Sequence, residues 1–499
     1  MLHTFTFGDL RVPANLAGEP TATSTGFVVP AGPVAILHPF GDTGFYRHGW
    51  NSWSPSGWTT TDGETIGIKN NPDRLLTADD AVNETPHLHS GSGVGAIAGP
   101  DGTVLLIGTL GLGNPRVGAD RNTIWARSET DEAEWFVTFG PEQQAFADYA
   151  AILSERLGRR SQRAGRVWSS WYSYYEGIDE ELVARTVADL TGYPFDVFQL
   201  DDGWEPIVGD WTAGPDFPSG MQATAGRIAE AGFRPGLWLA PMIALPDSTI
   251  ARERPDLLVQ DDAGRPLATG YNWNSHYYSL DTTQREVQDH LREVFERVTG
   301  WGFSYLKLDF MYAGAVAGRR HQDVHRETAY RDAISFIRET VGDDVYLLGC
   351  GVPMIPSIGV FDGARVGPDV GPFWDNAERV GDPSGVGAWN SIVDSVNRVW
   401  LKDVYEVDPD AVYFRSARNL LDPDERRMLQ DVAAILEFKS TSDPVVWLHE
   451  SERAELRQYL TETPTVEQTG RFTFRLDGRE VDLTAVVAGE ARSDTSYIG

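Results

Sequence analysis

From Arg166 to Phe438 the chain alternates between short apolar runs and longer stretches of helical periodicity, and few folds accept such a pattern. The candidate strands are Arg166–Tyr175, Phe195–Trp204, Phe233–Pro241, Tyr277–Asp281, Tyr305–Phe310, Val345–Gly351, Ala364–Asp369 and Asp403–Val407. Helical patterns cover Glu180–Thr191, Gln222–Ala231, Thr283–Val298, Val324–Val341, Ala388–Trp400 and Pro423–Phe438. Eight strands that need no hairpin partners predict a parallel (β/α)8 barrel. Two crossovers, near 245–275 and 352–362, carry no clear helix.

The ends of these strands are unusually polar. In Ser304-Tyr305-Leu306-Lys307-Leu308-Asp309-Phe310 the side chains alternate faces, so Lys307 and Asp309 share one wall while Leu306 and Leu308 take the other. The second strand ends in Asp201-Asp202-Gly203-Trp204 and the third carries Trp238. The sixth ends in Gly349-Cys350-Gly351, and the seventh in Arg365-Val366-Gly367-Pro368-Asp369. Each feature alone could be structural, but their recurrence at the C-terminal mouth of a closed barrel marks a site. Adjacent carboxylates suit bidentate hydrogen bonding to vicinal hydroxyls, and indole faces suit the C–H faces of a pyranose. The expected substrate is a sugar.

On either side of the barrel, residues 164–461, the signals change. Residues 1–158 hold brief β-branched and aromatic segments between Gly, Pro and Asp turns, which predicts a β-sandwich. Within it Gly49-Trp50-Asn51-Ser52-Trp53-Ser54-Pro55-Ser56-Gly57-Trp58 sets three tryptophans among turn residues, as core plugs or as platforms for sugar rings. Gly91-Ser92-Gly93-Val94-Gly95-Ala96 formally matches a dinucleotide fingerprint, but no strand–turn–helix surrounds it and it reads as a turn. A helix over Pro141–Leu157 and a polar joint at Arg159–Arg163 lead into the barrel. In residues 462–499, Arg471–Leu476 and Val481–Val487 read as strands joined at Asp477-Gly478, a small β element.

Charge narrows the partners. Asp and Glu number 73 against 42 Lys and Arg among 499 residues, a net charge of −31, which repels nucleic acid and anionic membrane and favours a neutral oligosaccharide. The single cysteine excludes an internal disulfide framework, and the sequence contains neither an export signal at its start nor an apolar stretch long enough to span a bilayer. The expectation is a cytoplasmic protein, with a homo-oligomer left open and no cofactor or metal required.

In order and approximate spacing, Asp201-Asp202-Gly203-Trp204, Tyr305-Leu306-Lys307-Leu308-Asp309, Gly349-Cys350-Gly351 and Arg365-Val366-Gly367-Pro368-Asp369 resemble the α-galactosidases of glycoside hydrolase family 36. The Gly49–Trp53 loop and Trp168-Ser169-Ser170-Trp171-Tyr172 extend the resemblance over most of residues 45–450. It implies Asp309 as nucleophile and Asp369 as acid/base. It further implies a galactose subsite lined by Asp201, Asp202, Trp238, Lys307, Cys350 and Arg365, with Trp53 and Trp171 nearby. Where many members carry Ser-Cys-x-Gly-Gly-Gly, this chain has the shorter Gly349-Cys350-Gly351-Val352-Pro353.

The chemistry fits that assignment independently. Cleavage with retention needs an attacking carboxylate and a protonating carboxylic acid, roughly 5–5.5 Å apart. A lysine beside Asp309 favours its charged form; the apolar, stiff Pro368–Trp374 segment favours a protonated Asp369, with Arg365 opposing if close. Three rivals compete. His321 and His325 with Asp323 and Glu327 could bind metal on one helical face, but lack the His-Glu-x-x-His pattern and read better as a helix start, and His87-x-His89 is weaker still. Lys307 could be the Schiff-base lysine of a barrel aldolase, which needs a depressed pKa that Asp309 would oppose. A non-catalytic galactose-binding protein would need the tryptophans and paired aspartates but not both Asp309 and Asp369.

Overall fold

Eight short parallel strands form the centre of the molecule: β1 (Arg166–Ser169), β2 (Val197–Leu200), β3 (Arg234–Leu239), β4 (Tyr305–Leu308), β5 (Tyr346–Gly349), β6 (Gly363–Arg365), β7 (Glu406–Asp408) and β8 (Lys439–Thr441). The computed structural model describes residues 1–65, 89–130, 132–375 and 382–489, so His87 lies outside the described residues. Each strand pairs in parallel with the next from β1 to β7, and β8 pairs with β1. A parallel bridge from Val412 to Thr441, with Val412 N donating to Ser440 O at 2.9 Å, brings the chain after β7 against β8 and fits a closed (β/α)8 barrel.

Two expectations about the strands need correction. Tyr277–Asp281 does not enter the barrel. Ser275–Ser279 is a strand, but it pairs antiparallel with Ala268–Asn272 and Ile243–Ala244 in a three-stranded hairpin sheet. Local β propensity identified the strand, whereas its sheet is a tertiary choice. The strand that takes its place is Lys439–Thr441, whose polar Lys-Ser-Thr sequence carries no hydrophobic signal and which is held by pairing with β1. The Lys307–Asp309 strand is therefore the fourth, and those of Cys350 and Arg365 are the fifth and sixth.

Period two sorts the barrel interior into layers. Val167, Val197, Tyr305, Tyr346 and Leu348 form an apolar floor with Ala164 and Phe438, in which the Tyr305 and Tyr346 rings stack 5.0 Å apart. Two residues further along β4 and β2 come Lys307 and Gln199, and two further still Asp309 and Asp201. The opposite face carries Leu306, Leu308, Leu237 and Leu239, buried in the main core, each contributing roughly 1.5–3 kcal/mol. The outer helices begin at ordinary caps: Asp179 accepts from Leu182 N at 2.6 Å, and Asp422 and Glu425 form a capping box. His325 caps the helix Arg326–Val341 and sets its ring 3.0 Å from Glu129, in keeping with the helix-start reading.

Residues before the barrel form two antiparallel sheets, of six and seven strands, whose facing sides share one core including Phe5, Val12, Ile36, Phe45, Ile97 and Leu105. The seven-stranded sheet is buried on both sides. Its outer residues Tyr46, Leu106 and Phe136 join the main core with Tyr149 of the helix Glu142–Leu157. Tyr46 donates to Asn397 O at 2.7 Å and accepts from Trp400 Nε1 at 3.0 Å, which fixes the β domain on the barrel. At Gly93 the chain passes from the smaller sheet to the larger, which accounts for the glycine-rich turn. The last strands, Val466–Gln468, Thr473–Leu476 and Arg479–Asp482, form a small antiparallel sheet, with Asp477 and Gly478 at φ 48° and 85° in the hairpin turn. Here too a correction is needed: the strand stops at Asp482, and Thr484–Val487 is a helical turn. Among the described residues no helix is long and apolar enough to cross a membrane.

Candidate active site

Asp309 stands one residue beyond β4 and is held at both oxygens. Trp238 Nε1 donates to Oδ2 at 3.1 Å, and the amide of Phe310 donates to Oδ1 at 2.7 Å. Phe310 itself adopts φ 53°, a left-handed conformation that costs a non-glycine residue about 1–3 kcal/mol. Packing holds it there: the rings of Trp53, Trp273 and Tyr277 lie 5.6, 5.3 and 5.5 Å from that of Phe310. Trp238 is itself buried, with Trp211 5.9 Å from its ring and Trp204 Nε1 bound to its carbonyl. An indole wall thus supports the carboxylate.

Lys307 turns to Asp201, not to Asp309. Its Nζ donates to Asp201 Oδ2 at 2.9 Å, and Gln199 Nε2 reaches the same oxygen at 2.5 Å. Alternate strands of a barrel share an interior layer, which is why β4 and β2 side chains meet across β3. Burial disfavours the charged lysine, but Asp201 and then Asp309 outweigh it and raise its pKa. That direction is the opposite of what an aldolase lysine needs. Asp202 accepts from Trp273 Nε1 at 2.8 Å. Trp273 and Asn274, at φ 50° and 54°, form the two-residue turn between Ala268–Asn272 and Ser275–Ser279, so this hairpin delivers an indole to the mouth. Burial raises Asp202 to about 6 and its neighbour Glu205 as well, the two carboxyl groups lying in contact.

The tryptophan loop after the strand Gly44–Arg47 reaches this site. Trp53 lies against Phe310 and Tyr312, and Ser52 Oγ accepts from the amide of Gly351 at 3.0 Å. Gly351 has to be glycine: it sits at φ 62°, and a Cβ there would come within 2.3 Å of the Trp53 ring. Trp50, by contrast, is buried in the core, and Trp58 lies under the guanidinium of Arg471 at 3.6 Å. The barrel clamps the loop. Asp394 Oδ1 accepts from Ser56 N at 2.6 Å, while Arg398 donates to the carbonyls of Asn51 and Ser54 at 2.8 and 2.6 Å.

Burial pushes Asp394 up to about 7, against Arg398 and Arg47, from the 3.8 expected in the unfolded chain. A carboxyl raised in the fold stabilises fully below its unfolded pKa and loses that contribution as pH climbs to the folded one. Asp394→Asn, which keeps the acceptor for Ser56 N, should therefore gain in melting temperature relative to wild type as pH rises from 4 to 7. Thermal melts of both proteins across that range check the difference, and a gap independent of pH would show the carboxyl to be ionised in the fold.

At the end of β6, Arg365 is 2% exposed and its Nη2 donates to Asp369 Oδ1 at 2.6 Å. The Asp369 side chain is 33% exposed, whereas Asp309 as a residue is only 8% exposed, so water reaches the first more readily. Cys350, buried just past β5, is raised by burial and then by Asp309, and stays a thiol. Asp201, Asp202, Trp238, Lys307, Asp309, Cys350, Arg365, Asp369 and Trp53 thus gather at one end of the barrel. Among the described residues no group of three or more His, Cys, Asp or Glu side chains could hold a metal ion.

The Melibiase family model matches residues 152–339, which include Asp201, Asp202, Trp238, Lys307 and Asp309. The structure superimposes on the α-galactosidase of Thermus thermophilus with TM-score 0.91 and 39% identity, covering 97% of this chain and 100% of that one. The chain belongs to the α-galactosidases of glycoside hydrolase family 36. The family 36 α-galactosidase AgaA of Geobacillus stearothermophilus shares the fold at TM-score 0.63 and 13% identity, over 93% of this chain and 71% of that one. As a curated sequence, AgaA is 27% identical over 207 residues, 38% of this chain and 27% of its own length. The matched stretch is thus about a quarter of that curated relative.

In this family 36 chain the structure also adds residues that the sequence did not single out. Trp273 and Phe310 line the mouth beside Trp53. Tyr172 is buried and reaches towards Arg365 and Asp410, whereas its neighbour Trp171 is half-buried with its ring edge-on to Tyr175. The available signal was the helix-free crossover near 245–275, because long connections in compact domains tend to carry function.

Proposed function

We propose that the protein is a retaining α-galactosidase that releases terminal non-reducing α-galactose from galacto-oligosaccharides through a covalent galactosyl ester on Asp309. The observation that carries this reading is the unlike setting of the two mouth carboxylates. Asp309 is buried and fixed at both oxygens, as a nucleophile should be, and Asp369 is half-open beside an arginine. In the first step an Asp309 oxygen attacks the anomeric carbon, the glycosidic C–O bond breaks, and the leaving oxygen takes the Asp369 proton. In the second, Asp369 takes a proton from water, whose oxygen attacks the same carbon and frees Asp309. Lys307, Asp201 and Asp202 bind the sugar hydroxyls, Trp238 and Cys350 shape the pocket, and Arg365 orients Asp369.

The Thermus relative was solved with p-nitrophenyl α-D-galactopyranoside and with stachyose, which supports a galacto-oligosaccharide here. Turnover of a panel of aryl glycosides tests the reading. The α-galactoside should be cleaved well above the α-glucoside and the β-galactoside, with α-galactose as the first product by proton NMR. Galactose binding without turnover would favour a sugar-binding protein instead.

Trp53 contributes a wall to the same pocket. Trp53→Ala should raise KM about tenfold, the order expected from losing one stacked aromatic contact of ~1–1.5 kcal/mol. Because the ring is only partly buried, the melting temperature should change little. Unchanged KM with a large loss of thermal stability would make Trp53 a packing residue.

A further inference from the structure

We propose that Asp410, beyond β7, is a positioning residue for Asp369: it shares the Arg365 guanidinium with that carboxylate, anchors the backbone behind it, and so keeps a proton available for the leaving group. This rests on the reading of Asp369 as acid/base. Asp410 Oδ2 collects three donors. Arg365 Nη2 lies at 2.6 Å, the amide of Val370 at 2.9 Å, and the Tyr172 hydroxyl completes the set. The same Arg365 nitrogen contacts Asp369, and Val370 is the residue next to Asp369, so one buried carboxylate holds both the partner and the backbone of the acid.

The local backbone is built for this contact. Asp410 is a non-glycine residue at φ 85°, and its amide donates to Asp408 Oδ1 at 2.7 Å while its own Oδ1 accepts from Ala411 N at 2.7 Å. Strained positions of this kind persist where the surroundings over-determine them, commonly at functional sites. The groups facing the pair are Asp369 beyond β6, Asp408 and Tyr413 flanking Asp410, Tyr172 beyond β1, Cys350 beyond β5 and Lys307 on β4.

The electrostatic role follows. An arginine alone beside a carboxyl group favours its ionised form and would strip the proton that a general acid must give. A second carboxylate on the same guanidinium neutralises that charge. Burial raises Asp410, Arg365 pulls it back, and Asp369 and Asp408 push it up again, so these groups respond to one another, and with only donors on its two oxygens Asp410 is placed as the charged partner.

Asp410→Asn tests this, with kcat/KM measured against pH on p-nitrophenyl α-galactoside and on raffinose, whose leaving group needs a proton. The unshared arginine should move the alkaline limb to lower pH by about one unit, and the loss on raffinose should exceed that on the aryl glycoside by tenfold or more. Tyr172→Phe, which removes the hydroxyl that Asp410 accepts from and that Arg365 reaches at 3.4 Å, should shift the limb in the same direction by less, and it decides the matter if Asp410→Asn does not fold. Equal losses on both substrates with the limb unmoved would make Asp410 structural and overturn the proposal. Failure of the underlying reading looks different: Asp369→Ala itself would then lose both substrates alike.

Discussion

Asp309→Gly and Asp369→Ala are each expected to lower kcat/KM on an aryl α-galactoside by ~10³-fold or more, and azide should separate them. The Asp309 variant has no nucleophile, so azide occupies the vacated space and attacks the α-glycoside directly, giving the inverted β-galactosyl azide. The Asp369 variant still forms the ester when the leaving group is an activated phenolate that needs no proton. Azide then attacks the ester without needing a base, speeds its breakdown, and emerges as the α-azide after two inversions. Proton NMR reads the anomer in both cases. The α-azide from Asp309→Gly together with the β-azide from Asp369→Ala would exchange the two roles, and β-galactose as the first wild-type product would rule out retention. The structure gives a reason to expect a clean result at Asp309: its oxygens are held by Trp238 and the Phe310 amide, which a glycine leaves in place.

What the sequence could reveal of this site depended on distance along the chain. Lys307 and Asp309 were legible because period two alone puts them on one face, and Asp201-Asp202 because they end an apolar run. Arg365 and Asp369 are four residues apart and could be suspected of pairing. The competition between an apolar setting and the arginine needed the 2.6 Å contact to be seen. Asp410 was out of reach, since it is brought to Arg365 by closure of the barrel and not by any local pattern. For the same reason sequence offers Lys307 only its neighbour on the strand, Asp309, whose charge does act on it, whereas the barrel interior adds the direct contact with Asp201 from two strands away. The fold shows the same division. Helices such as Glu180–Leu190 and Arg326–Val341 carry their own periodicity and caps, but Ser275–Ser279 and Lys439–Thr441 are both β by conformation, and only pairing decides which is in the barrel.

The paired aspartates offer a test of sugar choice. Asp202→Asn is nearly isosteric and keeps an acceptor for Trp273 Nε1, so the hairpin and the pocket shape should survive. Because burial, and after it the charge of Asp201, already oppose charge on Asp202, melting temperature at pH 7 should hold or rise. What the variant loses is a carboxylate that accepts from two sugar hydroxyls, in our reading the axial 4-hydroxyl and the 6-hydroxyl of galactose. Sites built to hydrogen-bond a hydroxyl can discriminate by ~10⁴-fold, so kcat/KM on the α-galactoside should fall by several kcal/mol while the poor α-glucoside rate changes far less. Asp201→Asn should differ in kind. It leaves Lys307 buried beside a neutral amide, and breaking a buried ion pair costs about 3–5 kcal/mol, so stability should fall together with activity. Near wild-type activity in Asp202→Asn would move the galactose subsite away from this pair. An equal loss on galactoside and glucoside would keep Asp202 in the site but deny it the reading of the 4-hydroxyl, the position at which the two sugars differ.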